Sequence, residues 1–171
     1  EASDRRTLAG RAANLINPAE ITNSLVSLLR DIPELVEEMG GDAERIFAYH
    51  DSYPQKVSLA LAIYQAPSPS IMVAWQGGGL GSFGGFEAYK HRFSIYLRAA
   101  ETFADDPPTA YYRLLRLIMK GKPTNGSQPM SNTTVHPSCH PMEVADWNRQ
   151  TDSEGIDYFE IAVSFTEIGD D

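Results

Sequence analysis

The sequence predicts an α/β domain of the α+β kind, a mainly antiparallel sheet flanked by helices, with a long glycine-rich hairpin loop. Three observations predict it. In residues 88–99, Tyr89, His91, Phe93, Ile95 and Leu97 alternate with Lys90, Arg92, Ser94, Tyr96 and Arg98, the period of two that gives a strand one buried and one wet face. Residues 157–168 repeat the pattern, with Phe159, Ile161, Val163 and Phe165 turned inward and Tyr158, Glu160, Ala162 and Ser164 outward. Tyr111, Leu114, Leu115, Ile118 and Met119 recur at helical spacing and leave Arg113, Arg116 and Lys120 outside, which predicts an amphipathic helix over 108–120.

Taken in order, residues 1–16 mix charged and small side chains around Leu8, Leu15 and Ile16, and read as an N-terminal arm. Asn17 and Pro18 offer an N-cap and a proline at the first helical position, opening a helix over 19–30 with Ile21, Leu25, Leu28 and Leu29 on one face. Pro33 starts a second helix, which Gly40 and Gly41 close. Residues 45–50 read as a short strand with Ile46, Ala48 and His50 on one side, and Asp51–Pro54 as a turn. The alanines of residues 59–64 tip that apolar run toward a short helix.

Residues 70–76 predict a strand with Ile71, Val73 and Trp75 on one face. Gln76 to Phe86 then reads as a loop far longer than a tight turn needs, and so poor in side chains that ordering it is costly unless a partner holds it. An acidic loop, Glu101–Asp106, precedes the helix over 108–120, which Gly121 caps. Residues 122–140, rich in Pro, Asn, Ser, Thr and Gly, read as an irregular connection. A weak strand over 142–149 and a polar turn over 150–155 lead to the final strand.

At 171 residues the chain suits a single domain spanning residues 1–171. A formal net charge of -9 argues against a protein that grips nucleic acid through its phosphates, although it leaves room for a surface past which DNA slides. Cys139 is the one cysteine, so packing rather than a disulfide holds the fold. No apolar run approaches the roughly 20 residues of a membrane span, so no membrane partner is expected.

Gly79-Leu-Gly-Ser-Phe-Gly84 spells the dinucleotide fingerprint after a predicted strand. That fingerprint needs a helix next, to present its N-terminus to the pyrophosphate, and the residues that follow alternate like a strand. His136, Cys139 and His140 are metal-capable types, with Glu143 or Asp146 as further ligands, but zinc sites draw ligand pairs from two separated segments and a second pair is missing. Nothing in the sequence activates Cys139 as a nucleophile. His91 reads as a hydrogen-bonded core or interface histidine. Glu101, Asp105 and Asp106 read as a solvated turn ahead of a helix dipole. We therefore expect no enzyme, no catalytic residues, no metal and no cofactor.

The order of landmarks resembles the tail terminator, or tail completion, proteins of long-tailed bacteriophages. It lies in "RDIPELVEEMGG", "RIFAYHDSYP", "AIYQAPSPSIMVAWQG", a long loop, "HRFSIYLRA" and "DYFEIAVSFTEIGD", over roughly residues 20–168. The resemblance implies a small α/β subunit of a hexameric ring that caps the tail tube, ends tail polymerisation and joins the tube to a head-side connector or stopper protein. It also implies that DNA passes the lumen without specific binding, and that the protein is made in the host cytoplasm and resides in the virion at the head-tail junction. The partner-contact residues expected on this reading are Gly77, Gly78, Gly79, Leu80, Gly81, Phe83 and Phe86. Alternatives are another connector or stopper protein of the virion, a nucleotide-binding enzyme using Gly79–Gly84, and a metal-binding module on His136, Cys139 and His140.

Overall fold

The structure, a computed structural model, describes residues 16–49, 58–83, 86–99, 106–124, 126, 128–151, 155 and 157–167. The N-terminal arm up to residue 15, His50, the turn at 51–54, the acidic residues 101–105, Gly84, Gly85 and most of the polar turn before residue 155 lie outside the described residues.

Helix α1, Pro18–Arg30, starts where Asn17 accepts a hydrogen bond from the Ala19 amide, with Pro18 at its first position. Helix α2, Pro33–Glu38, again opens on proline and is closed by Gly40 and Gly41 at φ 74° and 80°, a conformation costly to residues with a Cβ. Helix α3, Leu59–Gln65, is capped by Ser58, and helix α4, Pro107–Lys120, by Asp106, which accepts from the Thr109 amide at 3.0 Å. That bond is the first cause holding the Asp106 carboxyl below its ordinary 3.8. At the other end of α4, a Cβ on Gly121 would lie 2.3 Å from the Leu117 carbonyl oxygen and 2.8 Å from Ile32, so only glycine fits the cap.

Five strands form one sheet in the order β1-β2-β3-β5-β4. They are β1 (Ile46–Ala48), β2 (Ser70–Phe83), β3 (Phe86–Arg98), β4 (Glu143–Thr151) and β5 (Asp157–Thr166). All neighbouring pairs are antiparallel except β1 with β2. The α+β architecture expected from the alternating strands is the one observed. Helices α1, α2 and α4 cover one face, where Ile71, Val73, Phe93, Ile95, Leu97, Phe159, Ile161, Val163 and Phe165 meet Ile21, Leu25, Leu115 and Ile118 in a single core.

The opposite face is not uniformly wet, and here the alternation misleads. Tyr96, read as outward, is only 6% exposed, because α3 crosses that face and packs Ile63 on Met72, Ala74 and Tyr96. Outward Glu160 is tied into a polar network that takes Ser94, Gln150 and, through Gln150, Tyr158. Trp75 and Tyr89 err the other way. Both carry the inward parity, yet they are 45% and 58% exposed: Trp75 lies past the end of β1, which pairs only as far as Val73, and Tyr89 past the end of β5, which pairs only as far as Lys90.

The described residues of 122–140 are irregular as expected, apart from a 3-10 turn at Met130–Asn132 and a bridge between Cys139 and Glu167. The weak strand runs over 143–151, and the short strand at 45–50 is reduced to three residues.

Candidate functional site

The stretch read as a loop proves to be largely strand. β2 and β3 stay in register from Gly78 opposite His91 to Phe83 opposite Phe86, with one irregularity between Trp75 and Gly78. The glycines at that bulge answer to geometry. Gly77 sits at φ 93°, and a Cβ on Gly78 would lie 2.3 Å from the Lys90 carbonyl oxygen. Sequence reasoning missed the strand because glycine is depleted in strands and hides the alternation.

Beyond the bulge the demand for glycine stops. A Cβ on Gly81 meets nothing within 4 Å, and one on Gly79 meets the Arg92 guanidinium at an ordinary 3.5 Å. β5 ends at Thr166 opposite Lys90, the partner of Gly79, so Leu80–Phe83 and Phe86–Tyr89 pair with each other and with no third strand among the described residues. The result is a two-stranded arm, reaching roughly 15 Å past the sheet at about 3.4 Å per residue. Leu80 and Tyr89 face each other across it at 65% and 58% exposure, with Trp75 exposed nearer its base.

The base of the arm is clamped to the end of the sheet. His91, inward on β3, places Nε2 2.8 Å from Glu167 Oε1, and because a carboxylate only accepts, the imidazole N–H donates. The Glu167 amide donates to the Tyr89 carbonyl, and the His140 amide to the Thr166 carbonyl. Next to them Cys139 is 1% exposed, its thiol pushed up to about 11 by burial first and by the Glu167 charge second. At neutral pH it is a protonated, covered thiol, the opposite of an activated nucleophile. His91 is thus a hydrogen-bonded core histidine, as its position on the strand predicts.

The proposed metal ligands are not brought together. His136 turns to Glu20 at 3.4 Å and accepts from the Ser138 amide, while Cys139 is buried beside Glu167. Glu143 stands 4.0 Å from Lys90. Among the described residues no group of three or more His, Cys, Asp or Glu side chains is placed to hold a metal ion. The dinucleotide fingerprint fares no better in context, since Gly79–Phe83 lies within β2 and is followed by β3 rather than by a helix N-terminus.

A second surface was not singled out in the sequence. Between α2 and α4 runs a groove of about 610 Å³, lined by Tyr112, Arg116, Leu117, Lys120 and Lys122 among others. Its signal was present in the outer face of the amphipathic helix, where Tyr112 breaks an otherwise polar stripe. Searches with the whole chain find no protein-family model that matches it and no curated protein that matches it.

Proposed function

We propose that this chain is a structural subunit of a bacteriophage head-tail junction, a tail terminator that assembles into a ring, caps the tail tube and meets the head-side connector. The observation that carries the reading is the arm. A two-stranded ribbon with no third strand is marginal by itself in water, and this one adds glycines at 79 and 81 that cost strand stability without a steric reason. Leu80 and Tyr89 expose apolar area at the same place. A partner that approaches the bare backbone closely and covers those side chains offsets both costs, which is the use a ring or tube subunit has for a projecting hairpin. The order of sequence landmarks shared with the tail terminators supports the same reading, and the acidic balance suits a wall past which DNA moves.

The test replaces residues 79–88 with a two-residue turn and supplies the variant to a phage lacking the gene. The shortened protein is expected to keep its thermal midpoint, because the register of β2, β3 and β5 is set by their apolar faces below the bulge. Particles are expected to carry unfinished or over-long tails in electron micrographs, with plaques lost. Normal particles from a stably folded arm deletion would remove the arm from the mechanism.

A further inference from the structure

The charges of this chain are unevenly spread. Four of its 14 lysines and arginines, Arg113, Arg116, Lys120 and Lys122, fall within ten residues that hold no Asp or Glu, leaving ten cations against 23 anions, or -13, for the rest of the chain. Arg113 is held by Glu38 through paired bonds of 3.0 and 3.1 Å. Arg116, Lys120 and Lys122 are exposed and have no side-chain partner among the described residues. They rim the groove between α2 and α4, at whose mouth Tyr112 stands 55% exposed. An aromatic anchor beside three cations unpaired among the described residues, with Glu34 the one carboxylate of the lining, is the composition of an interface centre rather than of ordinary solvated surface.

The complementary composition occurs elsewhere on the same chain. Most carboxylates of the described residues are engaged: Glu38 with Arg113, Asp157 with Arg149, Glu167 with His91, Glu20 with His136. On the edge strand β4, Asp146 has no partner among the described residues and Glu143 has only the 4.0 Å contact to Lys90. Trp147, the next residue along the same edge and on the other face of the strand, is 46% exposed. Glu34, Glu37 and Glu44 also have no side-chain partner among the described residues, but none of them is next to a tryptophan in the chain. β4 pairs with β5 along one side only, so its outer edge also offers backbone donors and acceptors.

We infer that the basic groove of α4, with Tyr112, Arg116, Lys120 and Lys122, receives the acidic β4 edge, with Glu143, Asp146 and Trp147, of a second copy of this chain. The two surfaces are different, so the contact is head-to-tail, the kind that closes a ring when the rotation between copies permits. Opposite charge fixes the register and steers the encounter, while Tyr112 and Trp147 supply the apolar area. This inference rests on the ring reading above and names the contact that builds the ring, separate from the arm.

Sedimentation velocity and light scattering at low salt test it on four proteins: wild type, Arg116→Glu/Lys120→Glu, Asp146→Lys, and all three changes combined. Each reversal is at an exposed position, so thermal midpoints are expected within roughly 2 °C of wild type. The wild type is expected as a multi-subunit particle that loosens with salt. Each set of reversals is expected to weaken association by roughly tenfold or more, to single-chain mass, and the combination to restore the particle because the charges again match. A wild type that stays a single chain, or a particle unmoved by either reversal, overturns the contact. So does binding of a fluorescent DNA duplex that the α4 reversal abolishes while the particle persists, which would make the groove a nucleic-acid surface. Complementation separates the two readings. Reversal variants that fall apart in solution yet complete tails normally keep the contact and sink the proposed task, whereas a charge-indifferent ring that completes tails sinks the contact alone.

Discussion

Phe93 meets Phe165 edge to face at 5.5 Å, and Tyr111 stacks on Phe159 at 5.2 Å with planes 13° apart. The first pair ties β3 to β5 and the second ties β5 to α4, so shortening a neighbour leaves a void that rigid aromatics do not fill. Phe93→Ala and Ile161→Ala are each expected to cost roughly 2–5 kcal/mol in denaturant unfolding, and a loss below about 0.5 kcal/mol at both would place the core elsewhere. Two phenols add a pH dependence. Tyr96 and Tyr111 are pushed up to about 12, in each by burial first. Unfolded tyrosines ionise near 10, so from about pH 10 to 12 the folded chain holds protons that the unfolded chain has released. The stability involved is fully present below pH 10 and is lost as pH rises through about 12. Tyr96→Phe is expected to flatten that alkaline loss, and identical pH profiles for the variant and wild type would clear the phenol. Single residues were legible in sequence where one layer alone covers a strand face. They were not legible at Tyr96, whose burial depends on α3 arriving from elsewhere in the chain.

Among the elements, the hairpin of β2 and β3 joins a rigid part to a lightly supported one. Below the bulge, Phe93 and Ile95 are locked between β2 and β5; past Lys90, where β5 ends, the ladder has no third strand among the described residues, and the 2.8 Å His91–Glu167 pair is the short side-chain tie beside that end. Removing one member leaves the other half-stranded, since both side chains are largely covered at 14% and 17% exposure. Glu167→Ala is therefore expected to speed amide exchange in residues 78–83 and 86–90 while leaving 93–97 slow, as read by mass spectrometry. Uniform acceleration across β3 would mean that the pair serves the whole fold instead. The strands, helices and caps were legible because each announces itself over a window of its own residues. The arm was not, because its pairing partner and its bulge are properties of two segments together, and glycine is silent about both.

For the molecule as a whole, both sides of the sheet end in lightly covered strands: three-residue β1 shields only residues 71–73 of β2, and among the described residues no strand pairs with the outer edge of β4. The candidate partner surfaces follow that plan rather than any pocket with reactive groups, which is why residue types alone pointed to the arm and overlooked the groove on α4. One buried atom makes the whole particle measurable. Cys139 carries the chain's sole sulfhydryl, sealed at the junction of the irregular 122–140 segment and the end of β5. Because the thiolate is the reacting species, a disulfide reagent in neutral buffer finds no target until that junction parts. The colour it releases then counts openings one molecule at a time, without any engineered label. Compared between the isolated chain and the assembled particle, the rate of that colour becomes a clock for how much assembly tightens the seam beneath the arm.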